Sequence, residues 1–233
     1  MSIAIGIIYK APEPGRAKTR LAASIGYEAA AELSACFLRD LAATIESVPS
    51  ALGRRGVAVY APAGGEALLR PLLPATFDFL LQTGRDLGEV LLGATRVLLE
   101  NGHHGVLLVN GDSPTLPSRL LVQAIEALQE TADRVVLGPA SDGGYYLIGL
   151  KRPHAHLFDK VSWGTPSVFA ETCARADESR LPIARLPEWY DVDDEDTLLC
   201  LQEDLAGRSI RFADGALAPW TRAYLAEAPE LAR

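Results

Sequence analysis

Residues 3–9 form an unbroken apolar run that ends in a Pro- and Gly-rich stretch, residues 11–15. A short β-branched run bounded by breakers reads as a strand buried on both faces. Over residues 27–48 the period changes. Leu33, Phe37, Leu41, Ile45 and Val48 recur at spacings of four, four, four and three, which is one face of a helix. Residues 56–60 and 78–82 predict two further strands. Residues 87–101 predict a helix stopped by Gly102. The run 105–110 is another buried strand. Pro117 is expected to open a helix with Leu120, Leu121, Ala124, Ile125 and Leu128 on its inner face. Residues 134–138 and 145–150 read as strands, and 165–176 and 194–205 as helices.

Strands alternating with helices imply an α/β domain with a mostly parallel sheet covered on both faces. Residues 1–206 are expected to form one domain, and 207–233 a peripheral C-terminal segment. In such sheets ligands bind beyond the carboxyl ends of the strands. Residues just after strands are therefore the informative ones.

Composition narrows the classes. The chain has 233 residues, 48% of them hydrophobic and 22% charged, which excludes wholesale disorder. A net charge of −8 argues against a nucleic-acid polymer or a membrane surface as partner. Cys36, Cys173 and Cys200 form no CxxC pair or disulfide framework, and no stretch has the length of a membrane span. A cytoplasmic location is expected.

Against that acidic background, Lys10, Arg16, Lys18 and Arg20 fall within eleven residues directly after the first strand. Pro12, Pro14 and Gly15 shape the loop, and a helix start follows. Free amides, a positive helix terminus and flexible cations are what phosphates bind. The loop is neither GxxxxGK[ST] nor GxGxxG, so NAD is not expected. Asp112, in Gly111-Asp112-Ser113-Pro114, stands at the end of the strand 105–110, a suitable place for a Mg²⁺ ligand. Asp142, before Gly143 and Gly144, opens the strand 145–150; the glycines allow close approach to the backbone, or a tight turn. In the acidic run 191–196, Asp191 and Asp193 share one side of an extended segment and are candidates to complete a metal site. Asp194, Glu195 and Asp196 read instead as a helix N-cap and first turn. There is no GxSxG, and the four histidines lack metal-ligand spacing. Trp163 lies in a loop, as a core plug or an aromatic wall for a substrate.

Taken in order, these motifs resemble a known family. They are K-x-P-x-x-G-x-x-K-T-R-L at 10–21, Q-x-x-x-D-L-G at 82–88, G-D-x-P at 111–114, P-A-x-D-G-G-Y-Y-L-I-G-L at 139–150, W-x-T at 163–165 and D-V-D at 191–193. The pattern is similar to bacterial transferases of the GT-A superfamily associated with radical-SAM/selenodomain proteins, often labelled glycosyltransferases. More distantly it resembles molybdenum-cofactor and phospholactate guanylyltransferases. The resemblance runs from about residue 3 to 205 and implies a GT-A three-layer sandwich that binds a nucleotide donor, NTP or NDP-sugar, and a small acceptor. It implies nucleotide contacts from Lys10, Gly15, Arg16, Lys18, Thr19, Arg20, Gln82, Asp86 and Gly88. Mg²⁺ or Mn²⁺ would sit on Asp112 with Asp193 or Asp191. Acceptor contacts would come from Asp142, Gly143, Gly144, Tyr145 and Trp163, and catalytic roles from Lys18, Asp112 and Asp142. Two positions depart from the family pattern: Val90 stands where a basic residue is usual, and D-V-D is followed by D-E-D-T-L rather than T-P-E-D-L. Nucleotidyl transfer, glycosyl transfer and non-catalytic nucleotide binding are the three functions this pattern allows.

Overall fold

The computed structural model describes residues 1–208, 212 and 214–228. Its frame is a seven-stranded sheet. β1 (Ile3–Lys10) is followed by α1 (Thr19–Ile25) and α2 (Tyr27–Ser47), then β2 (Arg54–Ala61), α3 (Glu66–Leu69) and β3 (Asp78–Leu81). After α4 (Leu87–Glu100) come β4 (Gly105–Asn110), α5 (Ser118–Gln129), β5 (Val135–Pro139) and β6 (Tyr145–Leu150). The chain ends with α6 (Val168–Glu178), β7 (Ile183–Arg185), α7 (Glu195–Leu205) and α8 (Pro219–Glu227). The strand order is β3-β2-β1-β4-β6-β5-β7. β6 is antiparallel to both β4 and β5, and every other pairing is parallel.

Alternation along the strands explains the three layers. Ile5, Ile7 and Tyr9 of β1 and Leu107 and Val109 of β4 pack on Phe37, Leu41, Leu121 and Leu198 from α2, α5 and α7. Ala4, Val106 and Leu108 point the other way, into a core with Leu91, Ala94 and Leu98 of α4 and Ala176 of α6. Both faces are thus dry, which is why these strands read as continuous apolar runs rather than alternating ones.

Several boundaries differ from the sequence reading, each for a local reason. Pro117 is the cap, extended at φ −78°, and α5 begins at Ser118. The helix expected at 165–176 starts three residues later, because Thr165 Oγ1 donates to Ser162 O and holds a turn. The strand expected at 134–138 is shifted by one residue, to β5. β7 was not expected; three residues are too few to carry a period. The reversal of β6 follows from its connection. Only residues 140–144 join it to β5, too short for a parallel crossover. Gly102 does close α4, donating to Leu99 O with φ 91°.

α8 lies against α2. Asp40 of α2, only 2% exposed, accepts from Trp220 N (3.1 Å) and Thr221 N (2.9 Å) at the start of α8. The remainder of the segment expected to be peripheral, 207–233, falls partly outside the described residues. No helix among the described residues is long and apolar enough to cross a membrane.

Candidate active site

From β1 the chain moves to β2 on one side, and β4 returns on the other. The carboxyl ends of β1 and β4 therefore flank the switch point of the sheet, where open α/β sheets hold ligands. A cavity of about 600 Å³ opens there. Its walls carry Lys10, Arg16, Lys18, Thr19 and Arg20 from the loop after β1, and Gln82, Arg85, Asp86 and Val90 from β3 and the start of α4. Asn110, Asp112 and Asp193 close its floor.

The loop is shaped by turns at Glu13, whose carbonyl accepts from Arg16 N and Ala17 N. It ends at Lys18, which caps α1 in the left-handed conformation, φ 50° and ψ 46°. For a non-glycine residue this costs roughly 1 kcal/mol or more. Contacts of the side chain offset it. The Lys18 ammonium, 5% exposed, lies 2.7 Å from Asp112 Oδ1 and 2.8 Å from Asp193 Oδ1, and donates to Val192 O at 2.6 Å. Arg20 donates to the other oxygen, Asp193 Oδ2, at 2.6 Å. Val192 N in turn donates to Asp112 O, joining the segment before α7 to the end of β4.

These contacts set the charges. Burial alone would lower the Lys18 ammonium, but Asp112 and Asp193 more than compensate and hold it above the ordinary lysine value. Loss of water, reinforced by the Asp193 charge, raises the Asp112 carboxyl even with Lys18 beside it. Asp193 is lowered, because Lys18 and Arg20 outweigh its burial. Asp191 has little such relief, since the lowering by Lys18 is the smallest influence on it. Burial first, then the charges of Asp193, Asp142 and Asp112, push it up to about 7.

Asp142, Asp191 and Asp193 each place an oxygen within 4.8 Å of the others. Three hard carboxylate donors at this spacing fit a divalent cation. The cluster brings in Asp142, expected at the acceptor, in place of Asp112, whose Oδ1 is held by Lys18. Asp142 Oδ1 also accepts from Gly144 N at 2.8 Å.

Other expected residues sit elsewhere or act otherwise. Gly88 does not line the cavity; a Cβ there would come within 2.8 Å of the Trp163 ring. Trp163 fills that space, stacks on Phe158 and meets Tyr145 edge-on, so it supports the start of α4 from the side. The Tyr145 hydroxyl is buried toward Thr172, away from any acceptor, and burial raises its pKa. Gly143, at φ 91°, is required by packing: a Cβ would lie 2.1 Å from Pro166 O. Gly15 turns the loop at φ 78° without lining the cavity. Asp86 caps α4, accepting from Glu89 N at 2.8 Å. Gln82 donates from Nε2 to Tyr9 O (3.1 Å) and Val59 O (2.7 Å), which fixes its amide at the cavity wall.

Arg85, Asn110 and Ser34 line the cavity and were not singled out from the sequence. Arg85 lies inside the Gln82–Gly88 motif, and Asn110 directly precedes GDSP, so position alone was their signal. Ser34 sits inside the α2 pattern and reaches the cavity by its 2.7 Å hydrogen bond with the Tyr9 hydroxyl, which no local pattern shows.

The α/β fold with its seven-stranded, mostly parallel sheet matches that of solved structures described as a nucleotide-diphospho-sugar transferase and a cytidylyltransferase. The chain belongs to the family described as "Uncharacterized protein conserved in bacteria (DUF2064)", whose pattern matches residues 44–165. A structure from Desulfovibrio desulfuricans G20, provisionally described as a nucleotide-diphospho-sugar transferase, is 32% identical, with a TM-score of 0.85 over 100% of this chain and 98% of that one. CMP:2-keto-3-deoxy-manno-octonic acid synthetase complexed with CTP matches at 11% identity and a TM-score of 0.57, covering 90% of this chain and 100% of that chain. A cytidylyltransferase from Leptospira borgpetersenii matches at 9% identity and a TM-score of 0.55, covering 99% and 96%. These last two share the fold. No curated protein matches the chain.

Proposed function

We propose that the protein is a nucleotide-dependent transferase that moves a nucleotidyl group from an NTP to a small phosphorylated or phosphonate acceptor. The observation that carries this reading is the set of five cations, Lys10, Arg16, Lys18, Arg20 and Arg85, around one cavity. A triphosphate brings more negative charge to neutralise than an NDP-sugar does.

In the reaction an acceptor oxygen attacks the α-phosphorus, the bond from that phosphorus to the bridging oxygen breaks, and pyrophosphate leaves with the electron pair. The acceptor's own oxygen is the nucleophile, so no protein nucleophile is needed. The protein's task is to position the reactants and offset charge. Lys10, Arg16 and Arg85 approach the phosphates from the cavity rim. Thr19 lines the same cavity at the start of α1. Gln82 and Asp86 border the nucleoside end, with Val90 as an apolar wall. Asp142, Asp191 and Asp193 would hold Mg²⁺ or Mn²⁺, with Asp112 adjacent; when bound, the ion neutralises developing charge on the phosphate oxygens.

A second reading is glycosyl transfer from an NDP-sugar, with Asp142 as general base. It is favoured by the description of the 32%-identical structure. One panel separates the two. Each NTP with Mg²⁺ and pyrophosphatase, and each NDP-sugar, is incubated with a mixture of small phosphorylated acceptors. Phosphate release from NTPs supports nucleotidyl transfer; transfer from sugar donors alone would sink it. Thermal shifts with the same donors rank them by linkage, independently of the acceptor.

A further inference from the structure

The Lys18 ammonium occupies a position with the donor set of a cation site. One carboxylate oxygen from each of Asp112 and Asp193 and the Val192 carbonyl surround it at 2.7, 2.8 and 2.6 Å. An ammonium has three N–H groups, and three acceptors face it here. Arg20 holds the second oxygen of Asp193. Asp193 is at the same time the member of the acidic triad that reaches into the cavity. Two of the cations suited to phosphate are therefore engaged on Asp193, a carboxylate suited to the metal. An ion arriving on Asp193 meets two like charges already seated there. The backbone records the same tension: Lys18 is left-handed where its side chain turns back toward Asp112 and Asp193.

We propose that Lys18 and Arg20 are resident counter-cations that keep Asp193, the cavity-facing member of the acidic triad, closed to a divalent ion until the phosphates of the donor draw them away. This rests on the transferase reading above. The divalent ion then arrives with the donor and not before it, and Lys18 serves first the carboxylates and then the phosphates. Metal affinity of the donor-free protein is reduced by the small fraction of chains whose carboxylates are open.

Mn²⁺ binding to donor-free protein, read from the resonance of the free ion, tests this with wild type, Lys18→Gln and Arg20→Ala. Lys18→Gln keeps hydrogen-bond donors without the charge. Arg20 is 66% exposed at its side chain, so Arg20→Ala removes a cation without opening the core. Lys18→Gln should bind Mn²⁺ about tenfold or more tightly than wild type, as expected when a minor open state becomes the major one. Arg20→Ala should shift affinity in the same direction, and it decides the matter if Lys18→Gln does not fold. Wild type binding Mn²⁺ as tightly as the folded variants would overturn the counter-cation role and leave the metal site standing. No Mn²⁺ binding in any protein, with or without CTP, would overturn both. Nucleotide turnover by wild type is judged separately by the donor panel, so failure of the transferase reading is seen there.

Discussion

Replacing Asp191 with Asn should make the metal-free protein more stable at pH 8, although it removes a carboxylate of the site. Asp191 sits within 4.8 Å of oxygens from Asp142 and Asp193, and its carboxyl is pushed up to about 7 from 3.8. That is about 3 units, or about 4 kcal/mol at 1.36 kcal/mol per unit, as an upper bound. Burial is the largest cause, and the like charges of Asp193, Asp142 and Asp112 add to it. The sign follows from linkage. The folded chain holds the proton more tightly than the unfolded chain, so stability is full below about pH 4 and is lost as pH rises toward 7. Asn never ionises and escapes that loss. Melting curves in EDTA should show Asp191→Asn about 5–15 °C above wild type at pH 8, from 2–4 °C per kcal/mol for a chain of this size. The gap should shrink by more than half at pH 5. Added Mg²⁺ should raise wild type and leave the variant behind, because the ion relieves the same repulsion. A variant that melts at or below wild type at pH 8 in EDTA would refute the reasoning.

Three other outcomes are expected. Asp40→Ala strips two backbone N–H groups at the start of α8 of their acceptor and should cost about 1–3 kcal/mol, read by urea denaturation; an unchanged midpoint would mean α8 is held by apolar contacts alone. Gly88→Ala places a methyl 2.8 Å from the Trp163 ring and should cost about 1–3 kcal/mol with a shift in tryptophan emission; a silent substitution would show that the indole has room to move. Lys10→Ala removes an exposed cation from the cavity and should weaken NTP binding about tenfold at low salt, by calorimetry, with melting unchanged; equal affinity would take Lys10 out of the site.

The parts of the fold that were legible are those written in local pattern. β1 and β4 announce themselves as apolar runs because both faces are dry, and the 3.6-residue period of α2 survives intact. Asp194 was readable as a cap, and it does close α7: its side chain accepts from Thr197 N while Thr197 Oγ1 takes the hydrogen bond of Asp194 N. The basic loop and GDSP were legible as chemistry because each follows a strand directly. What could not be read is pairing across distance. Lys18 looks like one phosphate ligand among four until residue 193 is found 2.8 Å away. Gly88 and Gly143 look like ligand-facing glycines, yet Trp163 and Pro166 fill the space beside them. Asp142 reads from the sequence as a substrate contact, a metal contact or a turn residue; only the sheet, by bringing the β5–β6 turn beside the segment before α7, puts it with Asp191 and Asp193.

The hydrogen bonds from Lys18 to Val192 and Asp193 span 174 and 175 positions along the chain. Few contacts in a molecule of this length are less local, and such contacts form late because the entropy of closing the loop precedes the gain. While the chain is being made, the cationic loop emerges long before the residues that neutralise it. The strained turn at Lys18 has nothing to hold it until that closure happens. Completion of this site is therefore a report on completion of the fold.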